Sequence, residues 1–263
     1  MHSYLNQSYK RRAAQWLDLL RQLVNREMKL LYKRSALGIA WTLINPLLQL
    51  AALAFVFQVV LPVEVPRYPS FVFCGLLAWN WFQATLFQSA GVIVANGSLI
   101  RQPRFPTAIL PVVTVTVGLI HFLLALPILI VFLLIDGVEL TPFVLLLPFL
   151  QILQLGLTVG LGYILAALNV TFRDTQHTLG VVLLLMFYLT PVFYSIENVP
   201  ETYQLLYACN PMVVLIGAYR SILLEGLPPA WTPLLFIAIA TFILLPLSYH
   251  YFERQSNRFA EEL

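Results

Sequence analysis

The residues of this chain best suited to contact a ligand lie in one stretch, MFYLTPVFYS (186–195). If the stretch is helical, Phe187, Pro191 and Tyr194 share one face, and Tyr188 lies beside them. Flat rings and phenolic hydroxyls at this spacing could line a path for a sugar polymer. The same residues could instead belong to the aromatic belt that membrane proteins place at the membrane–water interface.

The sequence contains no recognisable catalytic site. It has no G-x-x-x-x-G-K-[ST] phosphate-binding loop, and all of its lysines precede residue 34, so we expect no P-loop nucleotide site. No HExxH motif, nucleophile elbow or catalytic pair of carboxylates is present. Cys74 and Cys209 do not have the spacing of metal ligands. We therefore expect this chain to hold no metal or cofactor and to be no enzyme.

The composition is that of a membrane protein. Hydrophobic residues make up 60% of the chain and charged residues only 10%, against roughly 25% charged in soluble domains. A bilayer is crossed by about 20 apolar residues in a helix. Six runs without Asp, Glu, Lys or Arg are long enough: 36–60, 70–95, 107–135, 142–168, 175–194 and 231–251. The sequence thus predicts an all-α integral membrane protein with six transmembrane helices and no cleaved signal peptide.

The positive charges predict the orientation. Of the 15 Lys and Arg residues, only Arg67 and Arg220 lie on the side opposite the two termini. The other thirteen lie with the termini or in the second–third and fourth–fifth loops. Because positively charged loops stay in the cytoplasm, we expect both termini to be cytoplasmic.

The segment before the first span, 13–34, has the pattern of an amphipathic helix. Leu17, Leu20, Val24, Met28 and Leu31 fall at helical spacing, and the opposite face is polar and net basic. We expect residues 1–35 to form a cytoplasmic helix at the membrane surface, attached to the remaining domain, 36–263. No Gly/Ser/Pro linker follows the basic residues in KLLYKRSALGIAWTLINP (29–46). This join could transmit force, or the helix could be a simple orientation anchor.

Several small or polar residues interrupt the spans. Asn45 precedes Pro46 in the first span, where we expect the helix to bend. Gly156 and Gly160 form a GxxxG pair that permits close packing, either within the chain or across a dimer. His121 lies at mid-membrane depth, where a hydrogen-bonded packing residue is favoured over a proton relay.

The loop after the second span, VANGSLIRQPRFPTAILP (94–111), could carry a short helix capped by Asn96 or Ser98. In that case Leu99 and Ile100 would be presented to the cytosol. A tight basic turn is the alternative.

The segment between the fifth and sixth spans predicts two short helices at the outer face. Its run 212–224 is apolar but has only 13 residues and includes Arg220. This length fits a re-entrant or interfacial helix better than a span. Asn210 and Pro211 would end one short helix and begin the next.

Four stretches resemble a known family: YKRSALGIAWTLINPLLQL (32–50), NGSLIRQPRFPTAILP (96–111), NVTFRDTQHTL (169–179) and VPETYQLLYACNPMVVLIGAYRSILLEG (199–226). With the six spans, they resemble the permease subunit of ABC type-2 transporters that export lipid-linked polysaccharides such as O antigen, capsule or teichoic acid. The likeness covers nearly the whole chain. It does not identify the polymer.

The resemblance implies a homodimer whose first and fifth spans line a channel. Two copies of a separate ABC ATPase, which would bind the ATP and Mg, are implied at the cytosolic face. The candidate residues are Asn45, Phe187, Tyr188 and Tyr194 for the channel, Leu99, Ile100, Arg101 and Arg104 for an ATPase-coupling helix near 97–103, and Arg220 for an outer gate within the re-entrant pair near 199–226.

The expected function is therefore ATP-driven export of a lipid-linked polysaccharide across the cytoplasmic (inner) membrane. We expect no nucleic acid among the binding partners. A type-2 permease for a drug or small lipid would share the architecture. A membrane enzyme or scaffold of polysaccharide assembly is less favoured, because the polar groups form no acid–base or metal site.

Overall fold

The computed structural model describes residues 2–33, 35–103 and 105–262, and every regular element in these ranges is helical. The α-helices are α1 (His2–Tyr32), α2 (Trp41–Ala54), α3 (Tyr68–Ala95), α4 (Gly97–Ile100), α5 (Ile109–Ile135), α6 (Leu147–Thr171), α7 (Thr175–Leu189), α8 (Glu201–Ala208), α9 (Pro211–Arg220) and α10 (Trp231–Glu262). Shorter 3₁₀ and π turns are Gly38–Ala40, Phe55–Val60, Pro142–Leu146, Ile196–Asn198 and Ser221–Glu225. The all-α prediction is confirmed.

Five stretches are long and apolar enough to cross a membrane, and they match the first, second, third, fourth and sixth predicted spans. They are Gly38–Val60, Tyr68–Ala95, Ile109–Ile135, Pro142–Thr171 and Trp231–Ser256. The predicted pair of short helices is also present: α8 and the helix from Pro211 to Glu225 meet at an angle of 96°. Its location at the outer face stays a prediction. Asn210 caps that second helix, because its Oδ1 accepts a hydrogen bond from the Met212 amide at 3.0 Å.

The fifth span is shorter than predicted. We expected a helix over 175–194, but α7 ends at Leu189 after 15 residues, or about 22 Å. A proline disfavours helical backbone in the residue before it, and Thr190, which precedes Pro191, is extended with ψ 134°. The prediction that Pro191 and Tyr194 share a helical face with Phe187 is therefore wrong.

Helix α3 lies at the centre of the fold and packs against α2, α5, α6, α7 and α9. Trp79, Trp81 and Phe82 are almost fully buried there, as expected of packing residues. On the far side of α6, a Cβ on Gly156 or Gly160 would lie about 3 Å from side chains of α10. The GxxxG pair therefore serves close packing of α6 and α10 within the chain.

Helix α1 packs lengthwise against α5. Leu20, Val24 and Met28 face the core, but Leu17 and Leu31 are exposed. At its end, the Tyr32 hydroxyl lies 2.8 Å from Nε2 of His121 in the third span. This contact supports the packing interpretation of His121.

The join between α1 and the first span is a tight turn. The helix ends at Tyr32, whereas the amphipathic pattern predicted helix up to 34, and Arg34 itself lies outside the described residues. Ser35 donates its amide to the Tyr32 carbonyl, and its hydroxyl accepts from the Gly38 amide at 3.1 Å. Gly38 has φ +49°, a conformation that suits glycine. The join is thus short and hydrogen-bonded without being a continuous helix.

Arg220, the candidate for an outer gate, lies inside the fold with 7% of its surface exposed. Its Nη1 and Nη2 donate to the carbonyls of Pro191 and Val192, both at 2.7 Å. Nη2 and Nε also reach the Phe71 carbonyl at 3.2 and 3.3 Å. The guanidinium carbon stacks 3.5 Å from the centre of the Phe71 ring.

These contacts satisfy backbone groups that the short fifth helix leaves without helical partners. Carbonyl groups beyond the end of a helix have no hydrogen-bond donor within that helix. They need donors from elsewhere in the protein, especially where water cannot reach them. Arg220 takes those of Pro191 and Val192, and the Tyr68 hydroxyl donates to the carbonyl of Phe193 at 3.0 Å. Arg220 therefore holds the end of the fifth span against the start of α3. Its role as a gate stays a prediction.

We call the contacts of Arg220 with Phe71, Pro191 and Val192 the clamp. Gly75 gives a direct test of it, because a Cβ there would lie 2.7 Å from Nη2 of Arg220 and 3.0 Å from the Val192 carbonyl oxygen. We expect Gly75→Ala to destabilise the chain by about 1–3 kcal/mol through overpacking. The measurement is the thermal unfolding midpoint of the detergent-solubilised protein.

Gly217→Ala is the matched control. A Cβ at Gly217 has no atom within 4 Å, although Arg220 is on the same helix. Replacing a helical glycine by alanine there should be neutral or stabilise by about 0.5–1 kcal/mol. Equal midpoints for the two variants would contradict the clamp.

Candidate functional site

Among the spans, the first and the fifth are the least buried. In α7 only Leu183 is buried, whereas Val181, Leu184 and Leu185 are each more than 50% exposed. In the first span, Leu48 and Phe55 are each 61% exposed. A single chain therefore leaves open the two helices that the family resemblance assigns to a channel.

The predicted aromatic residues form a cluster around Phe193, which lies four residues after the end of α7 at Leu189. The Phe193 ring centre lies 5.1 to 6.2 Å from those of Phe57, Phe187, Tyr188 and Tyr194. The sequence placed three of these rings close together but did not identify Phe193 as their centre.

The three candidates in this cluster have different surroundings. Tyr188 is 59% exposed on α7. Phe187 is half-buried, and its ring centre lies 6.0 Å from that of Trp79 in the core. The Tyr194 hydroxyl donates to the carbonyl of Tyr188 at 3.0 Å and lies 3.0 Å from the hydroxyl of Tyr207. Tyr188 is therefore the one of the three that is best placed to meet a ligand, and Tyr194 stabilises the end of α7.

A cavity of about 540 Å³ opens between α2, α3, α5 and α7, beside the end of α1. Five carboxamide side chains line it: Asn45 and Gln49 from α2, and Asn80, Gln83 and Gln88 from α3. We call this set the amide face. On each helix these residues recur at intervals close to whole helical turns: 45 and 49 on α2, and 80, 83 and 88 on α3.

The amide face is joined by one cross-helix bond. Nδ2 of Asn80 donates to Oε1 of Gln49 at 2.8 Å. Oε1 of Gln83 accepts from the indole of Trp79. In the part of the chain that the structure describes, the side chains of Asn45 and Gln88 have no hydrogen-bond partner within the protein.

One end of the cavity is closed by Tyr32 and His121, and the ring of Trp41 also lines it. Burial raises the pKa of the Tyr32 phenol, which therefore stays neutral. The described lining of the cavity contains no Asp, Glu, Lys or Arg. The cavity thus offers neutral hydrogen-bonding groups and aromatic rings.

The cavity runs from the middle of α3 toward its C-terminal end. Asn80 lies 12 residues from the helix start, about 18 Å along the axis, and Gln88 lies about 12 Å further. Of the candidates named from sequence, only Asn45 is part of this lining. Gln49, Asn80, Gln83 and Gln88 were missed, although polar residues repeating along one face of an apolar span were a signal for them.

The predicted coupling helix is shorter than expected and faces partly inward. Helix α4 covers only Gly97–Ile100, and the Asn96 side chain donates back to the Val92 carbonyl at 3.0 Å instead of capping α4. Ile100 is only 8% exposed, and Leu99 is half-buried against the core.

The prediction that both apolar residues face the cytosol is therefore wrong for Ile100, because α4 folds back onto α3 and α10. The exposed part of this turn consists of Ser98, Arg101, Gln102 and Pro103. Arg104 lies outside the described residues.

Metal chemistry has no support in the described residues, where no group of three or more His, Cys, Asp or Glu side chains could hold an ion.

Comparison with known proteins relates the chain to one family of transporters. Residues 18–224 match the ABC-2 type transporter family. Over 251 residues the chain is 38% identical to the O-antigen export system permease protein RfbA of Myxococcus xanthus, covering 95% of this chain and 96% of the relative. It is 32% identical over 250 residues to a protein of the same name from Klebsiella pneumoniae, covering 94% and 95%. It is 23% identical over 228 residues to the polysialic acid transport protein KpsM of Escherichia coli, covering 84% and 86%. The family match covers most of the chain and the two more similar relatives span nearly all of it, so this multi-pass membrane protein belongs to the ABC-2 type transporter family.

Proposed function

We propose that this chain is the membrane subunit of an exporter that moves a lipid-linked polysaccharide, such as an O antigen, across the cytoplasmic membrane. The observation that carries the proposal is the 38% identity to an O-antigen export permease over 95% of this chain. The neutral, amide- and aromatic-lined cavity fits a hydroxyl-rich substrate better than a charged one. A sliding polymer also needs several weak contacts instead of one tight site.

The energy source in this proposal is a separate ABC ATPase, which binds the ATP and Mg. Its support is the absence of a P-loop from the chain and the family to which the chain belongs. Two copies of the permease would work with two copies of the ATPase. The uncovered faces of α2 and α7 support a homodimer, because a second copy could share the channel between them.

Both termini are cytoplasmic in this proposal, and the membrane is the inner one. The support is the distribution of exposed cations. Arg101, Arg173, Arg254 and Arg258 are exposed on the side of the termini. On the other side Arg220 is buried, which leaves Arg67 as the exposed cation there.

The ATPase contact would use the exposed surface of the turn around α4, with Arg101 and Gln102 at its centre and Leu99 at its edge. Ile100 would act from inside, by fixing α4 to the bundle. This assignment is supported by the short length of the turn and by its position on the side of the termini.

The function is tested by reconstituting the purified chain in vesicles with its partner ATPase and the lipid-linked polysaccharide. We expect polymer transport only when both proteins and ATP are present, and no ATP hydrolysis by this chain alone. ATPase activity of the chain by itself, or transport of a small lipid but not of the polymer by the complex, would overturn the proposal.

The coupling turn is tested by two substitutions with different expected readouts. Ile100→Asp should lower the thermal midpoint of the chain itself, because it buries a carboxylate and removes aliphatic burial of about 1.5–3 kcal/mol. Arg101→Glu should leave that midpoint unchanged and weaken co-purification of the ATPase about tenfold, which corresponds to about 1.4 kcal/mol.

Arg173→Glu makes the same charge change in the other exposed loop on that side and serves as the control. Equal ATPase binding by the Arg101 and Arg173 variants would remove the turn from the proposed contact. An unchanged midpoint for Ile100→Asp would contradict the buried position of α4.

A further inference from the structure

The amide face is costly unless something polar meets it. Each carboxamide carries two N–H donors and a carbonyl acceptor, and burying such a group in hydrocarbon without hydrogen bonds is unfavourable. Asn45, Gln49 and Gln88 are exposed in the single chain, although they lie within apolar spans. The amide face therefore meets water or a polar ligand instead of lipid chains.

The carboxamide atoms that the internal hydrogen bonds leave unpaired include both donors and acceptors. The bond between Asn80 and Gln49 uses one N–H of Asn80 and one lone pair of Gln49. The amide nitrogen of Gln49 and the carbonyl oxygen of Asn80 remain available. Gln83 uses its carbonyl oxygen for the Trp79 indole and keeps its amide nitrogen.

This mixture selects a class of ligand. A sugar hydroxyl both donates and accepts, so it can bond to either end of a carboxamide. A phosphate headgroup accepts only and is bound best by cations, and the described lining of this cavity has no Lys or Arg. An acyl chain would leave the amides without partners.

Exposed aromatic rings stand beside the amides. Trp41 is 43% exposed and Phe87 is 40% exposed, and both line the cavity. Such rings offer flat apolar surface to the C–H faces of a sugar ring. On the α7 side, a Cβ at Gly180 would lie 3.3 Å from the Phe87 ring, so the wall approaches that ring closely. The volume of about 540 Å³ lies within the range of about 300–1,000 Å³ that is usual for small-molecule sites.

We infer that this cavity is a saccharide-binding subsite, in which the amide face hydrogen-bonds the hydroxyls of uncharged sugar units while Trp41 and Phe87 contact their rings. The inference rests on the proposed function, because the sugar units would be those of the exported polymer. It assigns the contact to the inner surfaces of α2 and α3, separate from the aromatic cluster around Phe193.

Photo-crosslinking tests the contact directly. Ala84 lines the cavity and is exposed, so we place p-benzoylphenylalanine there, in cells that make the polymer and the partner ATPase. The control is the same residue at Phe242, which is 81% exposed on α10 and lies away from the cavity. We expect a polymer-bearing adduct from position 84 and none from position 242.

Three results would overturn the inference: equal polymer adducts at both positions, adducts at position 84 only with lipid or with a second copy of the chain, or no adduct there while the unsubstituted chain exports polymer. In each case the proposed function stands. If the unsubstituted chain exports no polysaccharide, the proposed function fails first.

A second variant avoids a bulky residue in the cavity. Replacing both Gln49 and Asn80 by Leu removes the two partners of one hydrogen bond, which leaves no orphaned group and should keep the thermal midpoint. We expect polymer export to fall about tenfold, because two sets of sugar contacts are lost.

Gln151→Leu, on α6 outside the cavity lining, is the control and should export normally. Normal export by the double variant would contradict the subsite. A lowered midpoint with export reduced only in proportion to the folded protein would show that the pair is structural and would equally overturn it.

Discussion

The fold depends on satisfying backbone groups where the fifth span stops. Helix α7 ends at Leu189 because Pro191 follows, and the chain continues without helical hydrogen bonds through residues 190–192, which are buried inside the protein. Arg220 and Tyr68 supply the missing donors to the carbonyls of residues 191–193. This requirement fixes α9 against α3 and explains why an arginine is buried inside the fold. The clamp also makes the outer helix pair and the end of the fifth span one packed unit.

The same requirement, that polar groups need hydrogen-bond partners, applies to the amide face. Elsewhere some buried polar side chains bond to the protein backbone: Gln154 donates to the Ala78 carbonyl and Tyr163 to the Ala108 carbonyl. Others, such as the Tyr219 hydroxyl and Oε1 of Gln154, are buried without a partner among the described residues. Around the cavity, the carboxamides that keep unused donors and acceptors are exposed or half-buried instead of enclosed. A chain that satisfies its polar groups at the clamp and leaves them open at the cavity has a wet or ligand-bearing surface there. In an exporter of neutral polymers, such a surface provides many weak contacts without a trapping site.

Most of the fold could be predicted from sequence, because apolar spans and helix-starting residues are local signals. Five spans and the Asn210–Pro211 break were found in this way. The length of the fifth span was overestimated, since its apolar run continues through Pro191 and hydropathy alone does not register the end of the helix. The buried position of Ile100 was missed because a short loop sequence does not reveal which way its apolar residues turn. The partners of Arg220 lie up to 149 positions away in the chain, and such pairings depend on how the helices assemble.

The candidate site was predictable only in part. Asn45 and the aromatic residues stand out individually, but the amides on α3 gain importance only when α2 lies beside them. Tyr194 was selected for its hydroxyl, which the structure commits to the end of α7. Chemistry that arises between helices therefore needs the packed structure, whereas chemistry within a single motif does not.

The surfaces of α2 and α3 that line the cavity should be in contact with water and not with lipid. Thiol reactivity measures this directly, since maleimide reagents react with the thiolate, which forms in water. In a chain with Cys74 and Cys209 replaced by Ser, we would compare Asn45→Cys with Phe242→Cys, which is exposed on α10. We expect rapid labelling of position 45 by a water-soluble maleimide in open membranes and slow labelling of position 242. Equally slow labelling of both positions would contradict it.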